Sequence, residues 1–327
     1  MVFIKLKYKL AFICRSILFF MGMDKYLLKN RYGERIVVFH GIDLNGNTKY
    51  NSRFVSKDYF ENFIKYILTH FNVISLSDYY NKKFKPNTLN IAITFDDGYL
   101  NNYTYALPIL KKYKVPASFY ITTIHNLKDY LWADYLDLVS YHTSKRDLLF
   151  KGDVYRKNSK NEFMHNDTSL KSKCKYLRYE ELIELYELFQ EEWTEIAQET
   201  EDYWKLMDNH QLKEIANDSL FNVGAHGKTH ANLEILEIEE AISELEESKE
   251  YLESVCDINI KEFAFPFGYY NNSLVEQCKK IGYEKILLVD YLDVSDTNDE
   301  SLKNRFVINP HISMKHQLAC LLKGSYF

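Results

Sequence analysis

Residues 90–98 read Asn90-Ile91-Ala92-Ile93-Thr94-Phe95-Asp96-Asp97-Gly98. The run 90–95 is short, apolar and β-branched, and it stops at a turn signal. Those features predict a buried strand rather than a helix. Two adjacent carboxylates follow at its C-terminal end, and Gly98 lets the chain turn sharply. Paired acids at a strand end are costly unless a cation or an acid/base role holds them there. The plainer alternative is a helix N-cap, since Asp commonly opens helices. On this motif alone both readings stand.

Outward from that stretch the same unit recurs. Strands are predicted over 35–39, 72–75, 117–122, 221–225, 262–265 and 285–289. Helices are predicted over 57–70, 100–113, 237–256 and 273–281, the first with Tyr59, Phe60, Phe63, Ile64 and Ile67 on one face. Strands alternating with helices imply a parallel sheet or an α/β barrel. The series breaks between about 124 and 222, where helical patterns (131–144 and 179–197), an irregular polar part near 157–173 and all three tryptophans lie. That stretch reads as a long helical insertion on one connection, of the kind that shapes a substrate site.

The 327 residues suffice for one large α/β domain. The division expected is an N-terminal region, 1–30, and a barrel domain, 31–327, carrying the insertion. The net charge of −5, with Lys and Arg scattered among more acids, argues against nucleic acid as a partner. Five cysteines, far apart and odd in number, argue against a disulfide framework and against a thiolate metal site. Residues 1–30 are apolar and basic, and Lys5, Lys7, Lys9 and Arg15 keep them from reading as a membrane span. An amphipathic helix packed on the domain is expected, with peripheral membrane contact as its functional alternative. The localisation expected is cytoplasmic, at or near the inner membrane face.

Two further motifs sit at strand ends. Gly224-Ala225-His226-Gly227-Lys228-Thr229-His230 places two imidazoles four residues apart. With Asp97 they make a one-carboxylate, two-imidazole set that suits a hydrolytic Zn²⁺ with open positions. Two surface histidines are the alternative. Phe263-Ala264-Phe265-Pro266-Phe267-Gly268 ends a strand in a Pro/Gly turn.

In order and spacing these motifs resemble the polysaccharide deacetylase family (the NodB-homology domain, carbohydrate esterase family four). Phe39-His40-Gly41 and the stretch 108–122 fit as well, and the resemblance spans about 35–310. It implies a distorted (β/α) barrel, TIM-like, of seven or eight strands, and a metal-dependent deacetylase acting on an N-acetylated sugar or polysaccharide precursor. Asp97, His226 and His230 would bind the metal, with Zn²⁺ expected and Co²⁺, Ni²⁺ or Fe²⁺ accepted by the same donors. Asp96 would be the general base. A backbone N–H near Phe267, where relatives usually carry Tyr, would face the oxyanion.

The resemblance also implies a histidine as the acid: His40, as in the exopolysaccharide deacetylase branch, or His311 late in the chain. His40 is preferred. Many relatives carry an arginine where Ala264 stands, so Asp96 needs another partner; Arg305 is the candidate, with a surface arginine as the alternative. Trp132, with Asp134, and Tyr269 are candidate sugar contacts. Two other functions remain open: hydrolysis of a small non-sugar amide, and a barrel that binds carbohydrate without turnover.

Overall fold

All seven residues of Leu89–Phe95 are buried, as expected for a strand covered on both faces. In the computed structural model, which describes Ile17, Met21 and residues 32–326 apart from the side chain of Asn126, this strand lies inside a parallel sheet. The helix expected over 1–30 falls outside the described residues, Ile17 and Met21 excepted.

The main strands are Gly33–Phe39 (β1), Leu89–Phe95 (β2), Ala117–Ile121 (β3), Phe221–Ala225 (β4), Glu262–Ala264 (β5), Lys285–Leu288 (β6), Leu302–Asn304 (β7) and Phe306–Val307 (β8). From β1 to β7 neighbours in sequence are neighbours in space, and every pairing is parallel. β7 pairs with β6, while β8, one residue later, pairs with β1. Residues 302–307 therefore cross from one edge of the sheet to the other. They close the barrel almost completely, and Arg305 sits at the seam.

Helices cover the outside of the barrel. Lys57–His70 (α1) buries Phe60, Phe63, Ile64 and Ile67, four of the five residues its sequence period selects, and Ser56 caps it. The helix expected over 100–113 forms with a widened turn at Asn102–Ala106 before Leu107–Tyr113. Pro108 has no N–H to donate one turn back, which accounts for the widening. Cys174, Cys256 and Cys278 are free, and these three and Cys320 are buried. Among the described residues no helix is long and apolar enough to cross a membrane.

The insertion leaves the barrel after β3. It is not wholly helical. Helices Trp132–His142, Leu170–Cys174, Tyr179–Glu187 and Gln190–Glu199 share a core with one face of a four-stranded antiparallel sheet spanning 147–169, whose other face is exposed at Leu149 and Val154. The sheet was hidden by polar composition, but its first hairpin has a sequence sign. Lys151 and Gly152 both take positive φ, 51° and 81°, between paired Phe150 and Asp153. That is the two-residue loop that matches strand twist. The insertion also has a core of its own, with Trp132, Tyr135, Leu138, Phe150, Leu185 and Phe189 buried together. It ends earlier than expected: Asn209–Ala216 packs Leu212 and Ile215 into the barrel core.

Candidate active site

The motifs read from the sequence meet at the C-terminal ends of β2, β4 and β5, the end at which barrels of this architecture carry their sites. They form the floor of a cavity of about 750 Å³, one wall of which comes from the insertion. Three site residues hold left-handed backbone: Asp97 at φ 74°, His230 at 58° and Phe267 at 58°. Strain of that kind persists only where surrounding structure enforces it.

Asp96 is 4 % exposed, and its partner is Arg305. The guanidinium donates from Nη1 to Oδ1 at 2.6 Å and from Nη2 to Oδ2 at 2.7 Å. The alternative of a surface arginine is excluded, because Arg305 is itself buried. Burial alone would raise the Asp96 carboxyl, but Arg305, then His226, outweigh it and hold it below its ordinary range. Asp96 is thus ionised at neutral pH.

Asp97, His226 and His230 converge. Both Nε2 atoms face Asp97 Oδ1, His226 at 3.4 Å and His230 at 3.1 Å. One donor atom from each residue lies within 4.8 Å of the others, and all three residues are buried. The set fits a divalent cation on three counts. Asp97 Oδ1 is buried and takes no hydrogen bond. The spacings approach the roughly 3.3 Å between donors of a tetrahedral site with bonds of about 2 Å. His226 Nδ1 engages the Ala264 carbonyl at 2.7 Å, which leaves Nε2 free as a donor atom. Burial opposes ionisation of Asp97, but Arg53 and the two imidazoles hold its carboxyl well below the usual range.

The loop between the histidines is fixed from outside. Glu244, buried on helix Ile238–Cys256, accepts from the backbone N–H of Lys228 (2.8 Å) and Thr229 (2.9 Å) and from Thr229 Oγ1 (2.6 Å). Within β4, Gly224 is required: a Cβ there would lie 2.6 Å from the Tyr120 ring.

The remaining predicted residues separate into two groups. His40 lines the cavity directly after β1. Burial first, then Arg53, press its imidazole down to about 4, against the pull of Asp97 and Asp96. Phe267 also lines the cavity, its ring 4.6 Å from that of His230. By contrast, His311 is exposed on the loop after β8 and is not among the cavity's lining residues. Trp132 is 2 % exposed, packed in the insertion's core, so no sugar can stack on it. Tyr269 is half-buried, engages Tyr176 and does not line the cavity. Asp134 is buried too, and accepts from Asn51 Nδ2, Arg53 Nη2 and Tyr99 Oη.

Arg53 is the residue that the sequence reading missed. It donates to Asp97 Oδ2 (3.2 Å), Asp134 Oδ1 (3.2 Å) and Tyr99 Oη (2.9 Å), tying the insertion to the floor of the site. No local pattern marks it, because its partners lie 44, 81 and 46 residues away.

Fold and site together define a class: (β/α) barrels with a two-histidine, one-carboxylate donor set beside a second, arginine-clamped carboxylate. The chain belongs to the polysaccharide deacetylase family, whose sequence model matches residues 83–286. Among curated proteins it is similar to a poly-β-1,6-N-acetyl-D-glucosamine N-deacetylase of Staphylococcus aureus strain MRSA252, 33% identical over 130 residues, or 39% of this chain and 43% of that one. The match to the protein of that name from strain N315 is 42% identical over 74 residues, 22% of this chain and 26% of the other. The chain thus matches less than half the length of these relatives. Solved structures share its fold. The Streptococcus pyogenes deacetylase PplD in complex with acetate has a TM-score of 0.55 at 18% identity, covering 87% of this chain and 95% of that one. IcaB from Ammonifex degensii has a TM-score of 0.54 at 15% identity, covering 90% and 99%.

Proposed function

We propose that the chain is a hydrolase that removes N-acetyl groups from N-acetylhexosamine units of a surface polysaccharide or of its lipid- or nucleotide-linked precursor. One observation carries this reading: Asp96, ionised and clamped by Arg305, stands beside the Asp97, His226 and His230 donors on one cavity floor. Similarity to poly-β-1,6-N-acetyl-D-glucosamine deacetylases supports the acetylated sugar as substrate.

Asp97, His226 and His230 would hold a divalent metal, Zn²⁺ first among the candidates. Bound there, it would lower the pKa of a water and polarise the acetyl carbonyl. Asp96 accepts the proton of the attacking water, and Arg305 keeps its carboxylate ionised and aimed. Water adds to the acetyl carbon, the C–N bond breaks, and acetate and a free amine leave. The backbone N–H at Phe267 faces the oxyanion of the tetrahedral intermediate. His40 passes a proton to the departing nitrogen; its imidazole is neutral above about pH 4, so the proton it delivers is the one that the attacking water gives up to Asp96. The insertion's wall favours a sugar over a small amide, which would leave most of the cavity's 750 Å³ or so empty.

The test is acetate release from N-acetylglucosamine oligomers by protein stripped of metal and reloaded with Zn²⁺ or Co²⁺, beside Asp96→Asn. Release restored by metal and abolished in the variant is expected. Release that persists in chelator would sink the mechanism.

A further inference from the structure

The cavity's charges are unevenly paired. Its lining includes four carboxylates and five cations. Three of the carboxylates face a cation: Asp96 faces Arg305 behind the lining, Asp97 faces Arg53, which it shares with the buried Asp134, and Asp137 faces Lys171. The fourth, Glu162, takes its hydrogen bond from Asn158. On the other side of the balance, Lys49, Lys160 and Lys175 have no carboxylate partner among the described residues. In a chain whose net charge is −5, the unneutralised charge of this cavity is mainly positive.

Lys175 is the telling member of the three. It comes from the insertion, directly after helix Leu170–Cys174. Its ammonium lies 5.5 Å above the Phe267 ring, and that ring lies 4.6 Å from His230. It is half-buried, and burial, Lys171 and Arg53 all depress its pKa. A cation held among cations with only a ring face for company is poorly compensated. An anion entering the cavity would relieve it.

We propose that Lys175, with Lys49 and Lys160 at the rim, forms an oxyanion subsite, so that the substrate carries a phosphate or carboxylate next to the N-acetylated sugar. The inference rests on the deacetylase reading of the same cavity, and it adds the charge of the substrate. A neutral N-acetylglucosamine polymer leaves the three lysines unused. A phosphorylated glycan, or one in which uronic acid alternates with the acetylated sugar, pairs with them.

The test separates binding from turnover. Zn²⁺-loaded Asp96→Asn protein is titrated calorimetrically with three probes: a neutral N-acetylglucosamine tetramer, N-acetylglucosamine 6-phosphate, and a tetramer alternating N-acetylglucosamine with glucuronate. At least one anionic probe should bind about tenfold tighter than the neutral tetramer, as one charge-assisted contact predicts. Adding Lys175→Gln should erase that margin, and Lys175→Arg should keep most of it. Preference for the phosphate probe or for the uronate probe assigns the anion. Equal binding of neutral and charged probes, no binding of either anion, or a margin untouched by Lys175→Gln would overturn the proposal. Acetate release by the unmutated protein is scored separately, so failure of the hydrolytic reading would not be mistaken for failure of the subsite.

Discussion

Arg305 meets Asp96 with two nearly equal hydrogen bonds, 2.6 Å from Nη1 and 2.7 Å from Nη2, in a site where both residues are buried. A planar fork fixes the carboxylate's direction, which a single ammonium cannot do. Arg305→Lys should therefore lower kcat by roughly 10²-fold, about 2.7 kcal/mol, with little change in KM. In Arg305→Met, burial of Asp96 loses its largest opponent, with His226 still acting, and its pKa rises, so the acidic limb of the kcat/KM profile should move to higher pH. An unchanged profile would mean that Arg305 only packs.

Metal should stabilise the fold through its three donors. Zn²⁺ at 100 times its Kd should add about 2.7 kcal/mol to the unfolding free energy. A thermal shift on adding Zn²⁺ should be present in the parent protein and absent in His230→Ala. An equal shift in both would place the ion elsewhere.

His40 has a folded pKa of about 4 against an ordinary value of 6.5. The unfolded chain then binds more protons than the folded one between those pH values. Metal-free protein should lose stability as pH falls from 6.5 to 4, by up to about 3 kcal/mol from this group. Urea unfolding at pH 7.5 and pH 5 should show a smaller difference in His40→Gln. The His40 ring proton resonances should stay fixed from pH 8 to 5; a titration midpoint near 6.5 would contradict the combined effect of desolvation and the Arg53 charge.

Glu244 holds the loop between the two metal-facing imidazoles through three hydrogen bonds. Glu244→Gln keeps the shape but puts an N–H where an acceptor is needed. It should cost about 1–3 kcal/mol of stability and weaken Zn²⁺ binding by roughly tenfold. Competition with a chromogenic chelator measures the second effect. Loss of stability with unchanged affinity would make Glu244 purely structural.

Much of this site is legible in the sequence. Asp96 and His226 each follow a strand directly, and Asp97 and His230 lie on the same two loops, so the strand pattern located them and the barrel gathered them. Arg305 was visible only as a gap, an expected arginine missing at Ala264 and one candidate late in the chain. Arg53 left no local trace, because its role arises from long-range ion pairs. Trp132 misled because an aromatic beside an acid looks the same in sequence whether it faces a cavity or a core. The sheet at 147–169 was concealed by the short, irregularly polar strands that carry it, with Asp147, Arg156 and Thr168 exposed, and only the Lys151-Gly152 turn announces it.

The seam at 302–307 joins barrel closure to the alignment of Asp96. A chain leaving the ribosome has all three metal donors by His230, yet its base has no partner until Arg305 emerges and the last strand docks. The clamp on Asp96 therefore forms only when β8 docks against β1, so breaking that pairing would release the Asp96 carboxylate while leaving Asp97, His226 and His230 at the ends of β2 and β4.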